Sequence, residues 1–211
     1  MEYGISGLYA ITPDTDDTPG LLAKVREALE GGARLLQYRN KVADAALRLI
    51  QGRALLALCR EFRVPLVIND HLDLALALDA DGLHLGAEDG LLAEARRRLA
   101  AGKILGASCY RSLSTAIEAE RAGADYVAFG GFFPSTIKTG MTTRTPLSLV
   151  QESKQRLSVP VIAIGGITTE NAPLLIAAGV DGVAVITALF GAPDVRGAAR
   201  RFAALFPRHQ E

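Results

Sequence analysis

Short apolar runs recur along the chain, and each is followed by a stretch whose apolar residues stand three and four apart. The runs are GLYAIT (7–12), ARLLQYR (33–39), PLVIND (65–70), GLHLG (82–86), KILGAS (103–108), YVAFG (126–130), PVIAIGG (160–166) and GVAVIT (182–187). Their length suits single strands, and their apolar character on both faces predicts strands covered on two sides. The stretches between them, such as LLAKVREALEGG with its terminal glycines and AALRLIQGRALLALCREF, carry the stripe of an amphipathic helix. Alternation of strand and helix calls for a parallel sheet with crossover helices. Eight units favour closure into an α/β (β/α)8 TIM barrel, with right-handed crossovers placing every helix outside. A doubly wound open sheet is the rival, but it has no evident use for eight regular strands in 211 residues. The phrases EGGARLLQYR, RAGADYVAFG and AAGVDGVAVI share an order of helix end, glycine, small residue and strand, which marks an internal repeat. No linker or low-complexity stretch interrupts the pattern, so residues 1–211 are expected to form a single barrel domain.

Composition narrows the class. Hydrophobic residues make up 49% of the chain, enough for one sizeable core. Basic and acidic residues balance at 23 each, so no overall field favours nucleic acid or an anionic membrane, and any anion site must be local. Cys59 and Cys109 fall in a helical pattern and just past a strand pattern, without metal-type spacing to a histidine, and read as buried free thiols. The N-terminal residues lack a basic start followed by an apolar stretch, and no run of about 18 apolar residues occurs. A soluble cytoplasmic protein with small-molecule partners is expected; homo-oligomerisation is compatible with the sequence but not specified by it.

In such a barrel the C-terminal strand ends form the active face. Those ends carry Gln37, Arg39, Asn40 and Lys41 after the second run, Asn69 and Asp70 after the third, and Asp89 after the fourth. Ser108 follows the fifth; Ser135, Thr136 and Lys138 follow the sixth; Gly165 and Gly166 close the seventh and Thr187 the eighth. Three cations, two carboxylates and several amides and hydroxyls thus converge on one mouth, beyond what wet strand ends alone explain. Two carboxylates from adjacent strands, without a histidine or cysteine cluster, suit a hard cation such as Mg2+ that completes its shell with phosphate oxygens. Arg39, Lys41 and Lys138 would then hold the remaining charge of a polyphosphate. A salt bridge from Asp70 or Asp89 to a nearby base is the alternative. IAIGGITTEN (162–171) suggests a second anion site, since paired glycines let backbone N–H groups approach a ligand at a helix start; a tight turn is the simpler use of such a pair. His84 reads as a hydrogen-bonded packing residue, His71 as a helix start or a ligand-orienting group, and His209 as a solvated tail residue.

QYRNK (37–41), VINDHLDLALALDADGLHLGAED (67–89), ADYVAFGGFFPSTIK (124–138) and VIAIGGITTENAPLLIAAGVDGVAVITAL (161–189) together resemble the thiamine-phosphate synthase family, in the same order across nearly the whole chain. The resemblance implies Mg2+-dependent condensation of hydroxymethylpyrimidine diphosphate with hydroxyethylthiazole phosphate, by a dissociative route through a pyrimidine-methyl cation. It also implies Asp70 and Asp89 as metal ligands, and Gln37, Tyr38, Arg39, Asn40, Lys41, Asn69, Ser108 and Lys138 around the pyrimidine diphosphate. Ser135, Thr136, Ile137, Gly166, Ile186 and Thr187 match the thiazole phosphate site, and Lys138, Arg39 and Ser108 stand as the catalytic set. Ile137 departs from the family loop, which commonly reads Thr-x-Thr-Lys, and removes a hydroxyl; Thr187 stands where serine is frequent. A thiazole tautomerase-like barrel and a non-catalytic thiamine-precursor binder are the alternatives, and residues 136–144 are expected to act as a mobile lid.

Overall fold

The computed structural model describes residues 4–86, 92–134 and 144–206. Eight parallel strands close on themselves in sequence order: β1 (Gly7–Ile11), β2 (Leu35–Tyr38), β3 (Leu66–Asn69), β4 (Gly82–Gly86), β5 (Ile104–Tyr110), β6 (Tyr126–Gly130), β7 (Val161–Ile164) and β8 (Gly182–Val185). Seven helices alternate with them: α1 (Thr18–Glu30), α2 (Ala45–Phe62), α3 (Leu72–Leu78), α4 (Leu92–Arg98), α5 (Leu113–Arg121), α6 (Leu147–Arg156) and α7 (Ala172–Ala178). After β8 come a short α8 (Thr187–Phe190) and α9 (Val195–Ala203), which packs back on α1. This is the expected (β/α)8 barrel. Each predicted run but the fifth contains its strand, although β2 begins two residues later than the run. β5 extends further than its run, so that Cys109 lies inside the strand. Both cysteines are buried and free, and burial pushes each thiol up to about 12. Among the described residues no helix is long and apolar enough to cross a membrane.

Side chains alternate between two cores. Leu36, Tyr38, Ile68, Leu83, Leu105, Val127 and Val183 face the helices, while Tyr9, Ile11, Leu35, Val67, Ile104, Tyr126 and Ile162 pack together inside the barrel. The interior is filled by setting large residues beside small ones. Gly106 pairs with Tyr126 across β5 and β6, and a Cβ on Gly106 would land on the Tyr126 ring. That glycine lets a tyrosine lie across the lumen.

The internal repeat acquires a physical meaning at the N-terminal end of the barrel. Asp81, Asp125 and Asp181 stand immediately before β4, β6 and β8. Their carboxylates accept from the N–H of Leu66 (2.8 Å), Leu105 (2.7 Å) and Val161 (2.7 Å) in the strand before. Arg96 pairs with Asp125 at 3.0 Å and Lys154 with Asp181 at 2.8 Å. Backbone N–H groups that begin a parallel strand have no ladder partner of their own, and the aspartates supply one. The fourth unit differs: Arg34 precedes β2 and donates to Ser6 Oγ.

Asp181→Ala removes the acceptor for Val161 and the partner of Lys154, far from the C-terminal mouth. It is expected to destabilise the fold by about 1–3 kcal/mol while leaving turnover unchanged; urea unfolding and steady-state rates check both.

Candidate active site at the C-terminal mouth

The loop after β2 is held by the loop after β1. Thr12, fully buried, accepts from the Arg39 N–H (2.9 Å) and donates to the Arg39 carbonyl (2.8 Å). Asp14 accepts from Arg39 Nη1 at 3.0 and 3.2 Å and from the Lys41 N–H at 2.8 Å. The guanidinium is thus aimed and keeps further N–H donors for a ligand. Asn40 is spent on the fold: its Nδ2 donates to the Thr15 carbonyl and to Gln51 Oε1, and its Oδ1 accepts from the Ala43 N–H. Tyr38 is turned away from the mouth, because the strand period of two sends it toward α2, where its hydroxyl donates to Gln51 Oε1 at 2.9 Å. Gln37, one residue earlier, points into the lumen and meets Tyr9.

Asp70 follows β3 with φ +62, in the left-handed region that a non-glycine residue rarely occupies. The conformation is fixed from both sides: its N–H donates to the His84 carbonyl at 2.9 Å, and its carboxylate accepts from Asn69 Nδ2 at 2.6 Å. Such backbone strain at an exposed strand end is characteristic of a ligand-facing residue. Among the described residues Asp70 has no ion pair, so the salt-bridge alternative finds no support there. His71 stands at the start of α3 without capping it through its side chain; burial and nearby Arg48 lower its pKa.

A chain of hydrogen bonds crosses the lumen beneath the mouth. Gln37 Nε2 donates to the Tyr9 hydroxyl (2.8 Å), the Tyr9 and Tyr126 hydroxyls are hydrogen-bonded at 2.7 Å, Tyr126 meets His84 Nδ1 at 2.8 Å, and His84 Nε2 meets Ser108 Oγ at 2.8 Å. His84 stacks on Tyr126 with ring centroids 5.5 Å apart. Its expected role as a hydrogen-bonded packing histidine therefore holds, and the interior of the barrel is where it sits. Burial lowers its pKa to about 4 and raises those of both tyrosines. A bulge in β5 between Ser108 and Tyr110 lies at the same end.

On the far side, Gly165 and Gly166 turn the chain after β7 with φ +97 and +66. The loop after β6 packs directly on them: Phe133 N–H donates to the Gly165 carbonyl (3.2 Å), and a Cβ on Gly166 would strike the carbonyls of Pro134 and Phe133. Asn171 locks the turn by donating from Nδ2 to the Gly166 carbonyl at 3.0 Å. Ile186 packs against the lumen cluster, and exposed Thr187 begins α8 next to it. Asp89, Ser135, Thr136, Ile137 and Lys138, with most of the expected lid, lie outside the described residues.

The barrel therefore brings Gln37, Arg39, Lys41, Asn69, Asp70, Ser108, Gly166, Ile186 and Thr187 to one end, and sets the side chains of Tyr38 and Asn40 to structural work. Asp14, Thr12, Tyr9 and Tyr126 are additions that motif reading passed over. Thr12 closes the first apolar run and Asp14 stands two residues on, so both had the same strand-end signal as Asp70; the two tyrosines look like ordinary core residues until pairing brings their hydroxyls together.

The family model described as thiamine monophosphate synthase matches residues 8–189. The chain belongs to the thiamine monophosphate synthase family. Members of this family similar to it include the thiamine-phosphate synthases of Nitrosospira multiformis, 54% identical over 97% of this chain and 87% of that protein, and of Nitrosomonas eutropha, 52% identical over 96% and 95%. A solved thiamine phosphate pyrophosphorylase from Pyrococcus furiosus superposes with a TM-score of 0.82, at 40% identity and 94% coverage of each chain. As a member of the thiamine monophosphate synthase family, the chain is an enzyme, a transferase.

Two consequences are measurable. Gly166→Ala combines a strained φ with a clash against backbone and is expected to cost about 1–3 kcal/mol, read as a lowered urea midpoint. His84 takes up a proton near its ordinary 6.5 in the unfolded chain but only near 4 in the fold, so its contribution is complete above 6.5 and is lost as the pH falls toward 4. Stability should drop by up to about 1.4 kcal/mol per pH unit across that window; urea unfolding gives the drop, and imidazole NMR shifts should show His84 still neutral at about pH 5.

Proposed function

We propose that this enzyme joins hydroxymethylpyrimidine diphosphate to hydroxyethylthiazole phosphate, giving thiamine phosphate and diphosphate. The observation that carries the reading is Asp70, held at φ +62 and without an ion pair among the described residues, at the same mouth as the Asp14-held Arg39 and the Gly165–Gly166 turn. Such a mouth offers anion-binding features on opposite sides, as two phosphorylated substrates require.

The donor set fits Mg2+. Asp70 offers carboxylate oxygen at an exposed strand end with one oxygen already oriented by Asn69, Asp89 would be the second ligand, and hard-cation sites of this kind take few protein groups. Mg2+ bound there supplies positive charge for the phosphate oxygens. The remaining work belongs to this chain. The bond between the pyrimidine methylene carbon and the diphosphate oxygen breaks with its electron pair going to oxygen, and the thiazole nitrogen supplies the pair for the new carbon–nitrogen bond. No side-chain nucleophile or base is needed for that exchange. Arg39 and Lys138 hold the charge that grows on the leaving oxygens, Gln37 and Ser108 align the pyrimidine, and Gly166 and Thr187 seat the thiazole phosphate through backbone N–H groups.

Incubation of both precursors with Mg2+ should yield thiamine phosphate and diphosphate in equal amounts, and absence of both products overturns the reading. Asp70→Ala is expected to raise the Mg2+ concentration for half-maximal rate by about tenfold or more, and Lys138→Ala to lower kcat by about 10²–10³. An unchanged Mg2+ titration or unchanged kcat removes the corresponding residue from its role.

A further inference from the structure

The proposed bond exchange moves no proton, yet the lumen beneath it holds two tyrosines and a histidine in a continuous hydrogen-bonded line. Apolar branched residues are the ordinary filling of such a barrel. The polar line is fully satisfied, since no buried side-chain nitrogen or oxygen among the described residues lacks a partner. Both tyrosines and His84 are at most 5% exposed, so no bulk water can substitute for a missing link.

The protons on this line can be counted. Gln37 uses an amide N–H toward Tyr9, so the Tyr9 oxygen accepts, and among the described residues the acceptor within reach of its own proton is the Tyr126 oxygen. Tyr126 accepts it and donates its own to His84 Nδ1. The neutral imidazole then carries its one proton on Nε2 and donates it to Ser108 Oγ. Ser108 is left with its hydroxyl proton unspent. With the imidazole proton on Nδ1 instead, one tyrosine oxygen would accept twice and its own buried proton would be left without an acceptor on the line; Ser108 would then donate into His84 and have none for a ligand.

We propose that Tyr9, Tyr126 and His84 are positioning residues that act as a polarity relay, fixing the His84 tautomer so that Ser108 presents a hydrogen-bond donor to an acceptor nitrogen of the bound pyrimidine. The relay rests on the proposed reaction for the identity of the ring, but its internal direction is a property of the barrel alone. It also accounts for Gly106, whose missing side chain lets the Tyr126 ring reach the line.

Tyr126→Phe keeps the ring beside Gly106 and removes only the central hydroxyl. It is expected to raise KM for hydroxymethylpyrimidine diphosphate about tenfold, the loss of one hydrogen bond, with KM for the thiazole phosphate unchanged. In a Ser108→Ala background the same change should add nothing, because its route of action is gone. Tyr9→Phe, which cuts the line one link earlier, should produce the same selective rise if Tyr126→Phe folds poorly. An unchanged pyrimidine KM, or an equal rise with and without Ser108, overturns the relay. Imidazole 15N NMR on the wild-type protein reads the tautomer without turnover: a proton on Nε2 supports the relay and a proton on Nδ1 overturns it. Failure of the wild type to make thiamine phosphate instead overturns the reaction reading, while the tautomer measurement still decides the direction of the line.

Discussion

Closure of eight parallel strands is the constraint from which the rest of this molecule follows. Parallel ladders pair every strand with two neighbours, and the side-chain period of two then divides each strand between a lumen and a helix-facing layer. Register around the circle leaves no freedom in this division. Tyr9 pairs with Leu35, Gln37 with Val67, Asn69 with His84, and Gly106 with Tyr126, so one choice of inward face on β1 determines the inward face of all the others.

The same closure separates stability from chemistry. At the N-terminal end, aspartates before β4, β6 and β8 bind amides at the starts of the neighbouring strands, and those before β6 and β8 are in turn held by Arg96 and Lys154. At the opposite end the polar groups are less fully spent, and the backbone turns through positive φ at Asp70 and at Gly165 and Gly166 after β7. The aspartates before β4, β6 and β8 are thus spent on the fold, and so is Asp14 at the mouth, whereas among the described residues the Asp70 carboxylate accepts from Asn69 alone. What differs is whether a backbone N–H lies within reach to satisfy the carboxylate.

Between the two ends the lumen trades apolar filling for a satisfied polar line. Buried hydroxyls and an imidazole are costly without partners and rigid with them, so the line from Gln37 to Ser108 ties two site residues on β2 and β5 to a common support. Arg39 receives comparable support from Thr12 and Asp14. Polar groups at the mouth are in this sense aimed by residues beneath and beside them.

Hydrophobic period, strand count and glycine placement are local quantities, and they alone determined the α/β class, the barrel and the polar residues gathered at its C-terminal mouth. The motifs after β2, β3, β4, β6 and β7 added the family. Pairing between distant strands is not a local quantity. Tyr9 and Tyr126 lie 117 positions apart, and nothing in either neighbourhood announces that their hydroxyls meet. Asn40 and Tyr38 sit within the site motif, yet α2 claims their polar atoms through Gln51, because the direction of a side chain follows from strand phase and from the helix packed against it. Tertiary structure decided which polar residues at the mouth remain available to a ligand, since hydrogen-bonding capacity is finite and only three-dimensional proximity determines where it is used.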